Sequence, residues 1–335
     1  MNAKIRPGYS PDRRMLGEIL PLKSPFTIFI NPTTVCNFKC SYCTHSKSED
    51  ELSKLNFIQK HMDYDVFLEV VEQLEKFNEK FKLIYIFGNG EPLCNPRLGE
   101  MIAHIKKKNI TDRIEFFTNG ALLTKEKSLE LINSGLTQLK ISVQALSSEG
   151  YKKICGVNLD YNKFIDQIKF FYENKKNCKL YIKIIDLGLS QKDKEKFYKT
   201  FENISDEMFI EHITYTQKTM GDYDGMIKEE LDLYGDPLTY RDTCTFPFYV
   251  LRVGVDGEIN PCFEKVFGDK MNINNTSIYD YWNSEELKNF RIMHLKKKRG
   301  KHEFCSTCKC QGSTSRPEDN IDSYALDILK RMGEK

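Results

Sequence analysis

Short apolar runs alternate with helix-patterned stretches from residue 26 to residue 215, and this alternation restricts the chain to one class of fold. The strand-like runs are 26–30, 83–87, 113–117, 138–143, 180–185 and 208–215. Leu83-Ile84-Tyr85-Ile86-Phe87 is apolar without strict alternation, as in strands covered on both faces of a parallel sheet. Between the runs, Val66, Phe67, Val70, Val71, Leu74 and Phe77 recur at intervals of three and four, the period of a helix face. Further helices are predicted over 97–108, 125–133 (ended by Gly135), 147–154, 161–175 and 191–203. Six strands alternating with helices make an α/β fold with a parallel sheet, and six units rather than eight predict an open, partial (β/α)6 barrel.

In such folds ligands collect where strands end, so the loops there hold the candidate chemistry. The first is Cys36-Asn37-Phe38-Lys39-Cys40-Ser41-Tyr42-Cys43, a C-x₃-C-x₂-C spacing. Three thiolates on one tight loop grip an inorganic centre from one side and leave it an open position. A zinc knuckle completed by His45 is the plainer alternative, although structural zinc usually takes paired C-x₂-C units. After the second strand comes Gly88-Asn89-Gly90-Glu91-Pro92, where the glycines permit close approach of a ligand and Glu91 can accept from an ammonium group. Asn119, after the third strand, either orients a ligand or forms a turn. Ser142 and Gln144 end the fourth strand on one side. Lys183 on the apolar fifth strand is costly unless it is paired, binds a ligand oxygen or snorkels outward.

The cysteine loop resembles the signature of the radical S-adenosylmethionine (radical SAM) superfamily, including the aromatic Tyr42 before the last cysteine. The resemblance implies a TIM-like partial barrel and a [4Fe-4S] cluster with three irons on Cys36, Cys40 and Cys43, SAM chelating the fourth. Residues 88–92 resemble the family's GGEP segment, with Asn89 a departure; Gly88, Asn89, Gly90 and Glu91 would contact SAM. Thr118-Asn119-Gly120 resembles a recurring TNG, and Ser142 and Gln144 match a strand end that faces the SAM ribose or carboxylate. Lys183 is then a candidate for the SAM carboxylate or a substrate oxygen. The implied chemistry is reductive cleavage of SAM to a 5′-deoxyadenosyl radical that removes a hydrogen atom from a substrate carbon.

A second cysteine group lies beyond residue 240. Cys244 and Cys262 bracket a hairpin predicted over 248–260, turning at Asp256-Gly257; a helix is predicted over 277–297, followed by Cys305, Cys308 and Cys310. Four thiolates suit zinc or a fully ligated iron–sulfur cluster. The arrangement resembles the twitch domain, the short form of the SPASM domain, which implies one auxiliary [4Fe-4S] cluster on Cys244, Cys262, Cys305 and either Cys308 or Cys310, with Cys308 favoured by its C-x₂-C spacing. Cys310 is then a spare ligand, or a thiol that returns a hydrogen atom to a substrate radical, as an epimerase requires. Cys94, Cys155 and Cys178 are isolated and read as packing residues.

The expected organisation is an N-terminal arm (1–25), the barrel (26–218), a linker or lid (219–240) marked by Gly221, Asp222, Asp224, Gly225, Gly235, Asp236 and Pro237, the twitch/SPASM-like domain (241–315), and a terminal helix (316–335). A net charge of +2 gives no reason to expect nucleic acid or an anionic membrane as partner. Lys106-Lys107-Lys108 and Lys296–Arg299 read as solvated helix faces. No signal peptide or membrane span is apparent, and clustered cysteines fit a reducing, cytoplasmic setting. Only 35 residues precede Cys36, too few for the leader-binding domain of many peptide-modifying members. The expectation is therefore an oxidoreductase, dehydrogenase or epimerase, acting on a small polar substrate such as an aminocyclitol, sugar or nucleotide sugar, with a flavodoxin- or ferredoxin-type reductant. A peptide maturase and a zinc-stabilised interaction module are the alternatives.

Overall fold

Nine strands form one sheet in the computed structural model, which describes all residues except 1, 10–12, 215–229, 240, 264–265, 309, 315 and 335, and only the backbone of 311 and 313. The six expected strands are β2 (Thr27–Ile30), β3 (Leu83–Ile86), β4 (Ile114–Thr118), β5 (Gln138–Val143), β6 (Lys179–Ile185) and β7 (Glu207–Glu211). They pair in parallel in sequence order. Their alternate residues face two worlds. Ile28, Ile84, Phe116, Ile141 and Ile182 are buried in the apolar core. Their neighbours Phe29, Tyr85, Phe117, Lys140 and Lys183 face the barrel cavity. The covering helices supply the other half of the core: Tyr64–Leu74 buries Phe67, Val70, Val71 and Leu74, and Leu98–Lys108 buries Met101, Ile102 and Ile105 while Lys106 and Lys107 stay exposed.

Two additions to the sheet were not legible in the sequence. The N-terminal stretch, expected as an irregular outer arm, supplies β1 (Lys4–Ile5), which pairs in parallel with β7. The expected hairpin forms as β8 (Val250–Val253) and β9 (Ile259–Asn260), with Gly257 at φ +80° in its turn. However, β8 also pairs in parallel with β2, so the C-terminal region extends the barrel sheet. Gln73 fastens this union from the barrel helix, donating to Ile273 O (3.3 Å) and accepting from Ile278 N (3.0 Å).

The helix expected over 277–297 is two, Ile278–Trp282 and Glu285–Leu295, because the Ser284 hydroxyl accepts from Leu287 N and starts a new one. The stretch 44–62, expected as loop, contains the helix Glu49–Lys54, started by a reciprocal Ser48–Glu51 cap. The terminal helix, Ala325–Arg331, packs Ile328 and Leu329 against Leu16 and Leu20. Of the expected lid, Gly221, Asp222, Asp224 and Gly225 lie outside the described residues; Gly235 stands at φ +87° in a turn closed by the Leu231–Pro237 bridge.

Inside the sheet, Glu115 on β4 is 2% exposed and pairs with Lys140 of β5 (2.8 Å) and Arg113 (2.5 Å). Removing one side of a buried pair leaves a charge stranded. Glu115→Leu is expected to cost about 3–5 kcal/mol in chemical denaturation, and Glu115→Leu/Lys140→Met to recover most of it.

Candidate active site and cysteine pockets

The loop of Cys36, Cys40 and Cys43 leaves the end of β2 and is pinned by backbone bonds on both flanks. Glu91 N donates to Val35 O (2.9 Å), Lys39 N to Cys155 O (3.0 Å) and Ser41 N to Ile154 O (2.9 Å). Burial pushes the Cys36 thiol up to about 12 and raises that of Cys43. Cys40 is raised first by its hydrogen bond with Cys155, so Cys155 touches a candidate ligand rather than serving only as packing. Thiols this reluctant to ionise need a cationic centre to become thiolates. Among the described residues no group of three His, Cys, Asp or Glu side chains is already gathered around one ion position; in a cubane each thiolate would hold a different iron. His45, the candidate fourth zinc ligand, is buried with Nε2 against Asn89 O (2.5 Å).

The Gly88–Glu91 segment braces this loop. A Cβ at Gly88 would lie 1.7 Å from Asn31 Oδ1, and one at Gly90 2.5 Å from Thr33 O and 2.6 Å from Val35 O. The glycines therefore admit the chain leading into the cysteine loop. Glu91, 3% exposed, accepts from Leu93 N (3.0 Å), Thr118 Oγ1 (2.6 Å) and Asn119 N (2.7 Å). Its carboxylate ties the end of β3 to the end of β4, where the sequence pointed to an ammonium partner. Burial raises its pKa to about 7 against the pull of these three donors. Asn119 donates to Asn37 Oδ1 (2.8 Å) inside the cysteine loop and accepts from Ala121 N (3.0 Å), so it both forms its turn and holds the loop. Tyr42 donates to Gln144 Oε1, and Gln144 Nε2 to Ser142 O (2.9 Å), linking the loop to β5.

The barrel interior holds a partly open cavity of about 670 Å³. Asn89 and Ser142 line it, as does Lys183, which is ion-paired with Glu211 of β7 and lies over the Phe117 ring (4.7 Å). Lys140 and Glu115 line it deeper. Arg113, Glu115, Lys140 and Glu211 were not singled out in the sequence; charges at alternate positions of strands otherwise apolar were the available sign. The N-terminal stretch lends Tyr9 and Arg13, with Arg13 ion-paired to Asp319.

A second, small pocket is lined by Cys244, Cys262, Cys305, Cys308 and Cys310. Arg299 Nη1 donates to Cys308 O (3.1 Å) and Cys305 O (3.4 Å), holding the C-x₂-C turn. Cys310, considered as a thiol facing substrate, is 2% exposed and lines this pocket; it is not among the residues lining the barrel cavity. The two spaces share a wall: Phe246 and Phe263, with ring centroids 5.1 Å apart, line both. The donor set fits an iron–sulfur cluster in each sulfur-lined place, with ligands to spare in the second.

A partial parallel barrel with a three-thiol loop at the end of its first barrel strand, joined to a separate thiol pocket, defines an iron–sulfur enzyme of the radical-forming class. The chain belongs to the radical SAM superfamily, whose model matches residues 30–204, and the model of an iron–sulfur cluster-binding domain, SPASM, matches residues 244–309. Its family cofactors are thus SAM, a [4Fe-4S] cluster and auxiliary iron–sulfur binding. Among curated proteins it is 36% identical over 119 residues to the tungsten-containing aldehyde ferredoxin oxidoreductase cofactor-modifying protein of Pyrococcus furiosus, covering 36% of this chain and 31% of that one. It is 35% identical over 130 residues to a probable GTP 3′,8-cyclase of Methanococcus maripaludis, covering 38% and 39%. The chain thus spans well under half the length of these relatives. Among solved structures it resembles SuiB of Streptococcus suis bound to S-adenosylmethionine (TM-score 0.63, 17% identity, 92% of this chain and 79% of that one). It also resembles BtrN in complex with AdoMet and 2-DOIA (TM-score 0.52, 21% identity, 85% and 92%). At these identities the likeness is one of fold. No helix among the described residues is long and apolar enough to cross a membrane.

Replacing Cys36, Cys40 and Cys43 together by alanine is expected to remove about four irons per chain from reconstituted protein, and replacing Cys244, Cys262 and Cys305 about four others. The pH behaviour of Glu91 has a defined sign. Its folded pKa is raised above the unfolded value, so the stability it contributes is present at low pH and is lost as pH rises through about 7. Thermal melts of metal-free protein between about pH 4.5 and pH 7 are expected to show that loss, and Glu91→Gln to flatten it.

Proposed function

We propose that this radical SAM enzyme is an oxidoreductase that dehydrogenates a small polar substrate, of carbohydrate or aminocyclitol type, at a carbon bearing a hydroxyl or amine. One observation carries this: a cavity in the small-molecule size range, lined by ion-paired Lys183 and Glu211, shares a wall with the second thiol pocket. Cys36, Cys40 and Cys43 would hold the SAM cluster, and Cys244, Cys262, Cys305 and Cys308 an auxiliary one, with Cys310 as spare. When bound, these groups supply a 5′-deoxyadenosyl radical that takes a hydrogen atom and an acceptor for one electron. Gly88, Gly90, Glu91, Asn119 and Tyr42 keep the cysteine loop in place, with Gln144 holding Tyr42, while Asn89 and Ser142 border the SAM side of the cavity. Lys183 Nζ donates to the substrate oxygen and Glu211 Oε2 takes its proton. The aromatic wall of Phe29, Phe87 and Phe117 excludes water from the reacting carbon. The electron source is a flavodoxin- or ferredoxin-type protein in a reducing compartment.

Dehydrogenation is favoured over epimerisation because Cys310 lines the thiol pocket instead of the substrate cavity. The test is anaerobic turnover with SAM and reductant against a panel of aminocyclitols and sugars. The expected result is 5′-deoxyadenosine and oxidised product in equal amounts. A stereo-inverted product carrying solvent deuterium, abolished by Cys310→Ala, would show an epimerase, and turnover of peptides alone would show a maturase. Glu211→Gln is expected to lower kcat by about 10²–10⁴-fold with iron content unchanged.

A further inference from the structure

Among the polar side chains beside the second thiol pocket, the His294 ring has no hydrogen-bond partner among the described residues. Arg299 donates to the carbonyls of Cys305 and Cys308. His302 accepts from Cys305 N at 3.4 Å. His294, on the helix Glu285–Leu295, is 0% exposed, and neither ring nitrogen has a hydrogen-bond partner among the described residues. Its backbone carbonyl accepts from Thr243 Oγ1 (3.4 Å), which fixes the helix position, and its ring meets Phe290 edge-on with centroids 4.7 Å apart. The ring lines the pocket together with Cys244, Cys262, Cys305, Cys308 and Cys310.

An imidazole carries at least one N–H, and burying it unpaired costs free energy that a native core normally avoids. Phe290 fills this side of the ring with carbon and offers no acceptor. The pocket that His294 lines is also lined by five cysteines, whose sulfurs are acceptors. We infer that His294 is a positioning residue for the auxiliary cluster, donating a ring N–H to a cluster sulfide or cysteine sulfur. The inference rests on the auxiliary-cluster assignment proposed above. A hydrogen bond to sulfur draws electron density from the cluster and favours its reduced form, raising the reduction potential. That is the direction a cluster accepting an electron from substrate needs. His294 is no ligand in this account: five thiols already exceed the four that a cubane takes.

The experiment uses the full chain with C36A, C40A and C43A, so that only auxiliary iron remains, and measures iron content, midpoint potential and the EPR spectrum of the reduced cluster. About four irons are expected in this background; if it binds none, the auxiliary assignment fails and the inference falls with it. His294→Leu is expected to keep the iron, lower the midpoint potential and shift the g-values. His294→Asn or His294→Gln, which keep an N–H near Nδ1 or Nε2, is expected to restore the potential in one of the two. Loss of iron from His294→Leu alone, with an amide variant retaining it, also supports a donor. With ¹⁵N-histidine, the reduced cluster is expected to show one weak nitrogen coupling that His294→Leu abolishes. An unchanged potential and spectrum in iron-replete His294→Leu would overturn the inference. So would loss of iron from all three variants, or a coupling strong enough for a directly bonded nitrogen.

Discussion

The buried carboxylate of Glu91 is the joint on which the cysteine loop rests. It gathers donors from its own loop and from the end of β4, and the backbone beside it touches Val35 at the entrance to the loop. Glycines at 88 and 90 are what allow the contact, since either Cβ would strike the segment from Asn31 to Val35. Asn119 and Asn37 extend the brace sideways. Three thiols on a mobile loop would bind metal by folding around it and would lose the ordering free energy in doing so. Here the backbone is ordered by bonds that need no metal, and the centre can bind to a site already shaped.

The barrel interior follows a different rule from its outside. Outward positions meet helices and are apolar; inward positions meet a cavity and carry Glu115, Lys140, Lys183 and Glu211. Each of these charges is paired, so the desolvation cost of burying it is offset within the protein. The cavity therefore presents paired rather than bare charges, Lys183 with Glu211 and Lys140 with Glu115.

The union of β8 with β2 gives the C-terminal region its place. It sets Phe246 and Phe263 in the wall shared by the barrel cavity and the second thiol pocket. The helix Cys310–Thr314 spans the same distance, Cys310 lining the pocket and Thr314 the cavity. Two spaces built largely from segments some two hundred residues apart thus lie back to back.

The sequence by itself determined the six central strands and the longer helices between them, because short apolar runs and period-3.6 patterns are local and survive without neighbours. It also carried both cysteine sets, since their spacing is local chemistry, and family matches cover both regions. Tertiary structure alone decided what those residues meet. The partner of Lys183 lies on the next strand, 28 positions on. The oxygens of Glu91 bind within the protein, and Cys310 joins the other thiols away from the cavity. That β1 and β8 enter the barrel sheet was likewise hidden, because strand pairing joins backbones distant in sequence and leaves little trace in the side chains of either partner.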